Sequence, residues 1–445
     1  MRRLLLITAG CLAVAVVPLS AATEFVAMGD SITAGSSWPF SVESVFDCTG
    51  ECSYGPSGEN CGHVRRLDSW IDGWLGAGNH VVNEGVGAER TAAAVVRLPG
   101  VLDSQCPDSP GDCVAVILMH GTNDMCCSGV SPETARDNLG FMIDEAKSRN
   151  IDTLLMTVIR KVYAPNHNKW KTYKNLTLAL AGTKNLQSVN PWLTLCAGTT
   201  CFNNKYWVDH PNSQCTAPGE GDGDIGHLDP NGYNDLTDLI KAVFPAAAPA
   251  AAVPTAPTGD LTDTQPDFVW PEVGETRWYE LDVDGATTWW EAAVYCTGGT
   301  CTVDPGVGLA KGAHSWRVRG RNLRGMGAWS ADTPFTVWGI PGTPVPSDPA
   351  GQFFDPTPTS APFGWEPYTW SEDPEATDYD LVVSDGGGPV LTQSFDSSIC
   401  ISTCEASPGQ GLGADSHTWT VQARNPGVSG PVSGSLAFEI FDSAP

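Results

Sequence analysis

The sequence predicts an α/β chain in which a doubly wound parallel sheet is followed by two all-β sandwich domains. Three observations carry this expectation. Before residue 245, short apolar runs alternate with segments of helical period. The stretch PAAAPAAAVPTAPTG, from Pro245 to Gly259, then interrupts the pattern with a Pro/Ala-rich linker, extended and semi-rigid. Beyond it, short alternating strands and turns recur with a spacing of about 100 residues, the size of a β-sandwich module.

Taken in order, the first residues have the marks of an export signal. Arg2 and Arg3 precede an apolar run over 4–19, and Ser20, Ala21 and Ala22 form a small-residue cleavage site. The expected organisation is a signal peptide over 1–22, an α/β domain over 23–245, the linker over 246–259, and β-sandwiches over 260–340 and 341–445. Cleavage near Ala22 would deliver the chain to the extracellular space or the periplasm. Cys11, in ITAGC, has a lipoprotein-like setting, but the apolar run continues past it and lipidation is not expected. No later apolar run is long enough to span a bilayer.

In the α/β segment the apolar runs 25–28, 81–83, 114–118 and 153–158 suit buried parallel strands. The clearest helical patterns are 132–148, with Ser131 as cap and Pro132 at the first helical position, and 231–243. After the linker, YELDV at Tyr279 matches YDLVV at Tyr379, CTGGTC at Cys296 answers CISTC at Cys400, and HSWRVRGRN at His314 matches HTWTVQARN at His417. Trp270, Trp316, Trp365 and Trp419 are expected in the sandwich cores, with Trp270 and Trp365 opening the two copies. His314 and His417, at equivalent strand positions, are expected to be structural. Of the adjacent Trp289 and Trp290, one should face outward.

The formal charge of −27, about −29 without Arg2 and Arg3, disfavours nucleic acid or an anionic membrane as a general partner. Setting Cys11 aside leaves an even number of the 15 cysteines, which argues for disulfides in an exported chain. Cys106/Cys113, Cys196/Cys201, Cys296/Cys301 and Cys400/Cys404 are close enough to be local staples. The CxxC pairs of structural zinc sites are missing, and the DGDIGH stretch around Asp222 and Asp224 lacks the further carboxylates of a calcium loop. No metal and no organic cofactor is expected.

A serine stands where the first apolar run breaks, in FVAMGDSITAG. The sequence Gly29-Asp30-Ser31-Ile32-Thr33 lacks the second glycine of a G-x-S-x-G elbow. GDSIT instead resembles the first block of the SGNH (GDSL-type) hydrolases. Three further blocks follow in that family's order over residues 25–243: NEGVGAERT from Asn83, GTND from Gly121, and DIGHLDPNGY from Asp224. The resemblance implies a three-layer hydrolase fold, with Ser31 as nucleophile, His227 as general base and then acid, and Asp224 orienting the imidazole. It implies oxyanion donors at the backbone N–H of Ser31, the backbone N–H of Ala88 and the side chain of Asn123. At position 88 the family usually has glycine, so the alanine adds a methyl and brings the local φ/ψ into question. His120 and Asp124 are candidates to support the site from behind, and Asp30 is expected to order the turn around Ser31.

Between Thr153 and Val208 there is no Asp or Glu, while Arg160, Lys161, Lys169, Lys171, Lys174, Lys184 and Lys205 make a basic island interleaved with aromatic residues. Lys169, Trp170, Lys171 and Trp207 are its candidates for substrate binding. The expected activity is that of a secreted serine esterase working through an acyl-serine intermediate on an ester substrate, foremost a carbohydrate acetyl ester on an acidic or acetylated polysaccharide. The repeats resemble fibronectin type III modules, which favours that substrate. The alternatives are a lipase- or phospholipase-type hydrolase of the same family, and a glycan- or surface-binding protein with an accessory hydrolase domain. The sequence sets no oligomeric state.

Overall fold

The computed structural model describes residues 24–34, 63–75, 78–107, 113–159, 167–192, 228, 230–354, 367–407 and 412–441. The chain divides into two compact units: residues 1–248 with 321–326, and residues 249–320 with 327–445. The expected signal peptide and the Cys196/Cys201 pair lie outside the described residues.

The first unit is built on five parallel strands: β1 (Glu24–Gly29), β2 (His80–Gly85), β3 (Cys113–Met119), β4 (Asp152–Met156) and β5 (Gln187–Val189). Their order is β2-β1-β3-β4-β5, a doubly wound arrangement whose strand order reverses between β1 and β3. Every residue of β3 is buried, as expected for the middle of a sheet covered on both faces. Among the described residues seven helices accompany the strands: α1 (Ser31–Ala34), α2 (His63–Leu75), α3 (Thr91–Gln105), α4 (Thr122–Cys127), α5 (Pro132–Ser148), α6 (His167–Thr183) and α7 (Pro230–Lys241).

Strand alternation divides the apolar side chains between two cores. Phe25 and Ala27 join Leu67 and Ile71 of α2 and Leu236 and Ile240 of α7. Val26 and Met28 join Leu98 of α3, Leu139 and Ile143 of α5, and Trp170 and Tyr173 of α6. The result is three layers, helices on both faces of one sheet. Helix α5 begins where the sequence places it: Ser131 accepts a hydrogen bond from the Thr134 N–H at 3.1 Å, with Pro132 following. The Cys106–Cys113 disulfide ties the end of α3 to the start of β3.

The second unit contains two copies of one design, each with a three-stranded and a six-stranded sheet, largely antiparallel. In the first copy Trp270 pairs across the small sheet with Cys301, and in the second Trp370 pairs with Cys404. The Cys296–Cys301 and Cys400–Cys404 disulfides close the two hairpins. Trp270 packs on Tyr279 at 5.2 Å and Trp370 on Tyr379 at 5.4 Å. Each tyrosine hydroxyl accepts a backbone N–H at 2.7 Å, from Val273 and from Asp373. Buried Trp316 and Trp419 donate from Nε1 to the carbonyls of Pro257 and Pro349, at 2.9 and 3.0 Å.

The equivalent of Trp270 is therefore Trp370. Trp365, expected in that place, lies outside the described residues. His314 and His417 each contact a backbone carbonyl, of Ala310 and Gly413, and stack on Phe335 and Phe438 at 5.3 Å. Trp289 and Trp290 are both half-buried, and Trp290 packs edge-on against Tyr295 at 4.7 Å.

Candidate active site

The geometry of the site begins with one row of the sheet. Gly29, the last residue of β1, is in register with Gly85 at the end of β2 and with Met119 at the end of β3. Ser31, Ala88 and Asn123 follow that row by two, three and four residues, on three neighbouring loops at the carboxyl edge. This is where the strand order reverses, the position at which open α/β sheets bind ligands.

The Ser31 turn is compact because its neighbours are small. A Cβ on Gly29 would stand 2.0 Å from Thr33 Oγ1 and 2.5 Å from the Met119 carbonyl. Asp30 is completely buried, and its Oδ1 accepts the Ile32 N–H at 3.1 Å, so the carboxylate orders the turn in the way the sequence suggests. Ser31, half-buried, opens α1, and the Ala34 N–H closes the turn onto the Asp30 carbonyl at 2.9 Å.

The second loop holds Ala88 at φ 60°, the left-handed region that glycine enters without a Cβ penalty. This settles the backbone at that position: the alanine adopts the conformation natural to glycine. The loop is tied to the first through the Val86 N–H, which donates to the Gly29 carbonyl at 3.0 Å.

The third loop starts with Gly121 at φ 113°, where a Cβ would meet the Tyr173 hydroxyl at 2.4 Å. Asn123 then extends its amide, and Nδ2 donates to the Glu89 carbonyl at 2.9 Å. Behind it, buried Asp124 accepts from the Thr91 N–H at 3.0 Å and from Thr91 Oγ1 at 2.9 Å. Asn138 adds a hydrogen bond to Thr91 Oγ1 at 2.9 Å. His120 is also fully buried, with Nε2 at 3.0 Å from Glu89 Oε2. Glu89 meets Arg97 as well, through Oε1 to Nε and Oε2 to Nη2, both at 2.8 Å. Burial pushes the Glu89 carboxyl up, but hydrogen bonds from His120 and Arg97 outweigh it and hold the pKa at about 2.

Glu89 and Arg97 were not among the residues the sequence singled out. Their signal was faint: an acid just before α3 and a base two turns into it, as in many exposed helical pairs.

The candidate binding residues divide. Lys171 is exposed on α6. Lys169 is half-buried and donates to the carbonyls of Asp124 and Ser128, at 2.8 and 3.2 Å, so its ammonium ties down the end of α4. Trp170 is 0% exposed within the core, which corrects its expected role in substrate binding. Helical period places it there: it lies three residues before buried Tyr173. Further charges of the basic island meet partners in the same unit, with Lys184 on Asp144 at 2.5 Å and Lys174 over the Trp192 ring at 5.6 Å. Asp224, His227 and Trp207 lie outside the described residues. Among the described residues no cluster of side chains is suited to hold a metal ion, and no helix is long and apolar enough to cross a membrane.

Similarity to known proteins falls in this part of the chain. The profile of the GDSL-like Lipase/Acylhydrolase family matches residues 27–234. A member of the lipolytic protein G-D-S-L family from Veillonella parvula is 16% identical, over 50% of this chain and 98% of that one, at a TM-score of 0.36. AlinE4, an SGNH-hydrolase family esterase, is 23% identical over 51% of this chain and 98% of its own, at 0.32. The psychrotrophic esterase EstA from a Pseudoalteromonas species is 18% identical over 49% and 94%, at 0.33. No curated protein matches the chain. Residues 27–234 are thus similar to the GDSL-like lipase/acylhydrolase family, and by class the protein is a carboxylic ester hydrolase.

Proposed function

We propose that the first unit is a serine esterase in which Ser31 is the nucleophile, His227 the base and Asp224 the residue that orients it. The observation that carries this reading is the aligned row Gly29, Gly85 and Met119, which brings the loops of Ser31, Ala88 and Asn123 to one edge of the sheet. The Ser31 oxygen attacks the ester carbonyl carbon while His227 takes its proton. Negative charge then develops on the carbonyl oxygen and meets the N–H groups of Ser31 and Ala88 and the Asn123 amide. An amide NH₂ has two protons; one is engaged by the Glu89 carbonyl, and the other serves the oxyanion. Collapse expels the alcohol, which receives the proton from His227. Water activated by the same imidazole then attacks the acyl-serine and releases the carboxylic acid.

The substrate in this reading is a carbohydrate acetyl ester, on a polysaccharide met outside the cytoplasm after removal of the signal peptide. The disulfides Cys106–Cys113, Cys296–Cys301 and Cys400–Cys404 support an oxidising compartment. Two tandem sandwiches of fibronectin type III-like character support an enzyme that works on extended polymers. With Lys169 and Lys184 engaged within the fold, Lys171 is, among the described residues of the basic island, an exposed charge that supports an acidic polymer.

The test is hydrolysis of p-nitrophenyl esters from acetate to palmitate by wild type and Ser31→Ala, followed by acetate release from acetylated polysaccharide. Activity on acetate that fades with chain length and disappears in the variant is the expected result. Activity rising toward palmitate would move the assignment to lipids. Equal inertness of both proteins would overturn catalysis in favour of a binding role.

A further inference from the structure

Glu89 occupies a junction that none of the four sequence blocks explains. It follows Ala88 directly, and its N–H closes the turn onto the Val86 carbonyl at 3.2 Å. Its carbonyl accepts from Asn123 Nδ2 at 2.9 Å, which joins the β2–α3 loop to the loop after β3. Its side chain is buried and makes three hydrogen bonds: two from Arg97 of α3, both at 2.8 Å, and one from His120 Nε2 at 3.0 Å. Arg97 is itself fixed, donating to the Glu84 carbonyl at 2.8 Å and to Glu84 Oε2 at 3.1 Å, and Gln105 donates to Glu84 Oε1 at 2.9 Å. His120 is held from the other side, where its carbonyl accepts from the Tyr173 hydroxyl at 2.8 Å. A two-pronged guanidinium–carboxylate contact fixes angle as well as distance, which one hydrogen bond does not do.

We infer that Glu89 is a positioning residue for the oxyanion hole: it sets the separation and orientation of the Ala88 N–H and the Asn123 amide as one rigid piece. This rests on the assignment of Ser31, Ala88 and Asn123 proposed above. Two donors must meet one oxygen within a few tenths of an ångström, and they come from different loops. One of these loops runs through a residue in a conformation that costs an alanine about 1 kcal/mol. Without a clamp, that turn relaxes and the Ala88 N–H swings away. Glu89 opposes this from both directions, its carboxylate anchored to α3 and to His120 just before the third loop, its carbonyl holding the Asn123 side chain. The clamp acts on the transition state, because the ground-state ester gains little from the oxyanion donors. Its loss therefore falls on kcat rather than KM.

The experiment compares Glu89→Gln and Arg97→Lys with wild type on p-nitrophenyl acetate, with Ser31→Ala as control. Inhibition by an acetyl trifluoromethyl ketone, which forms a tetrahedral adduct, is measured in parallel. The expected result for Glu89→Gln is a kcat lower by about 10- to 100-fold at a KM within about twofold of wild type. The ketone's Ki should rise in proportion to the loss in kcat/KM. Arg97→Lys keeps the charge but loses the second prong, and should show the same pattern at about 3- to 10-fold. If Glu89→Gln does not fold, Arg97→Lys decides. Folded variants with wild-type kcat, or with weakened KM and unchanged ketone affinity, overturn the inference. Activity retained in Ser31→Ala would overturn the underlying nucleophile assignment instead, and is read independently.

Discussion

The backbone nitrogen of Ala34 lies 2.1 Å from the point where a Cβ on Gly85 would stand, and the Ala34 Cα lies 2.6 Å from it. The end of β2 is thus in backbone contact with the turn that carries Ser31. A single methyl at Gly85 has to push the α1 backbone aside, since no flexible side chain is there to yield. Gly85→Ala should lower esterase kcat by more than about 100-fold and destabilise the domain by about 2 kcal/mol or more. Gly73→Ala is the control: nothing lies within 4 Å of its Cβ, on an exposed face of α2. It should stabilise by about 0.5–1 kcal/mol with full activity, as read by urea titration and initial rates.

Ala88 has φ 60° and is exposed. Replacing it by glycine removes the left-handed penalty and keeps the N–H. Ala88→Gly should gain about 0.5–1 kcal/mol in urea unfolding with kcat near wild type, whereas Ala88→Val should lose stability and rate together.

Glu89 contributes to stability with a definite pH signature. Its pKa is about 2 in the folded domain, below the ordinary 4.5. The unfolded chain therefore binds a proton between these values that the folded one does not. The contribution is complete above pH 4.5 and is lost as the pH falls toward 2, about 3 kcal/mol in all. Chemical denaturation from pH 5 to 2 should show this fall in wild type and a flatter profile in Glu89→Gln.

His63 acts in a separate window. Complete burial lowers its pKa from 6.5 to about 4, and its ring stacks on Tyr233 at 6.2 Å. As the pH drops from 6.5 to 4 the unfolded chain gains a proton that the folded domain refuses, so stability declines by about 3 kcal/mol. His63→Phe keeps a stacked ring and should abolish the decline between pH 6.5 and 4 while leaving the Glu89 transition in place.

In the first sandwich Trp329 lies against two guanidiniums, Arg317 at 4.6 Å and Arg319 at 4.3 Å from the ring centre. Asp282 and Glu280 hold those arginines at 2.8 and 2.6 Å. The second copy has Val432 in that place: Ser433 accepts from the Val421 N–H as Ser330 accepts from that of Val318. Trp329→Val should therefore fold, with a loss of about 1–2 kcal/mol in calorimetric unfolding of the second unit and no change in esterase activity.

The sheet was legible because β3 is apolar along its whole length, a pattern that only a strand covered on both faces requires. β5 was missed: Gln187, Ser188 and Val189 are three edge residues, and only the last is buried. The loops of Ser31, Ala88 and Asn123 could be found because short motifs mark strand ends. The Glu89–His120–Arg97 cluster could not, because its contacts join residues up to 31 positions apart and each alone resembles an ordinary surface charge. Lys169 and Trp170 show the converse. Composition drew attention to a basic, aromatic stretch, but helical phase decided which side chains it turns inward. In the repeats, Trp270 and Trp370 each stand nine residues before a matching tyrosine, a spacing more informative than the presence of a tryptophan near the start of each copy.

Between the two sandwiches, Asn425 Nδ2 reaches the carbonyls of Gly339 and Glu375 at 2.8 and 2.9 Å, and the Gly342 N–H donates to Asp373 Oδ2 at 2.6 Å. Lys311 of the first copy pairs with Glu375 of the second. Asn425 and Asp373 hold the connecting segment to the second copy, while the Lys311–Glu375 pair joins the copies directly, so the joint is pinned at more than one point. Moving one module against the other has to break these bonds first, so a displacement of one is resisted by the other. Whatever the far module touches therefore bears on the near one through side-chain contacts as well as through the peptide chain.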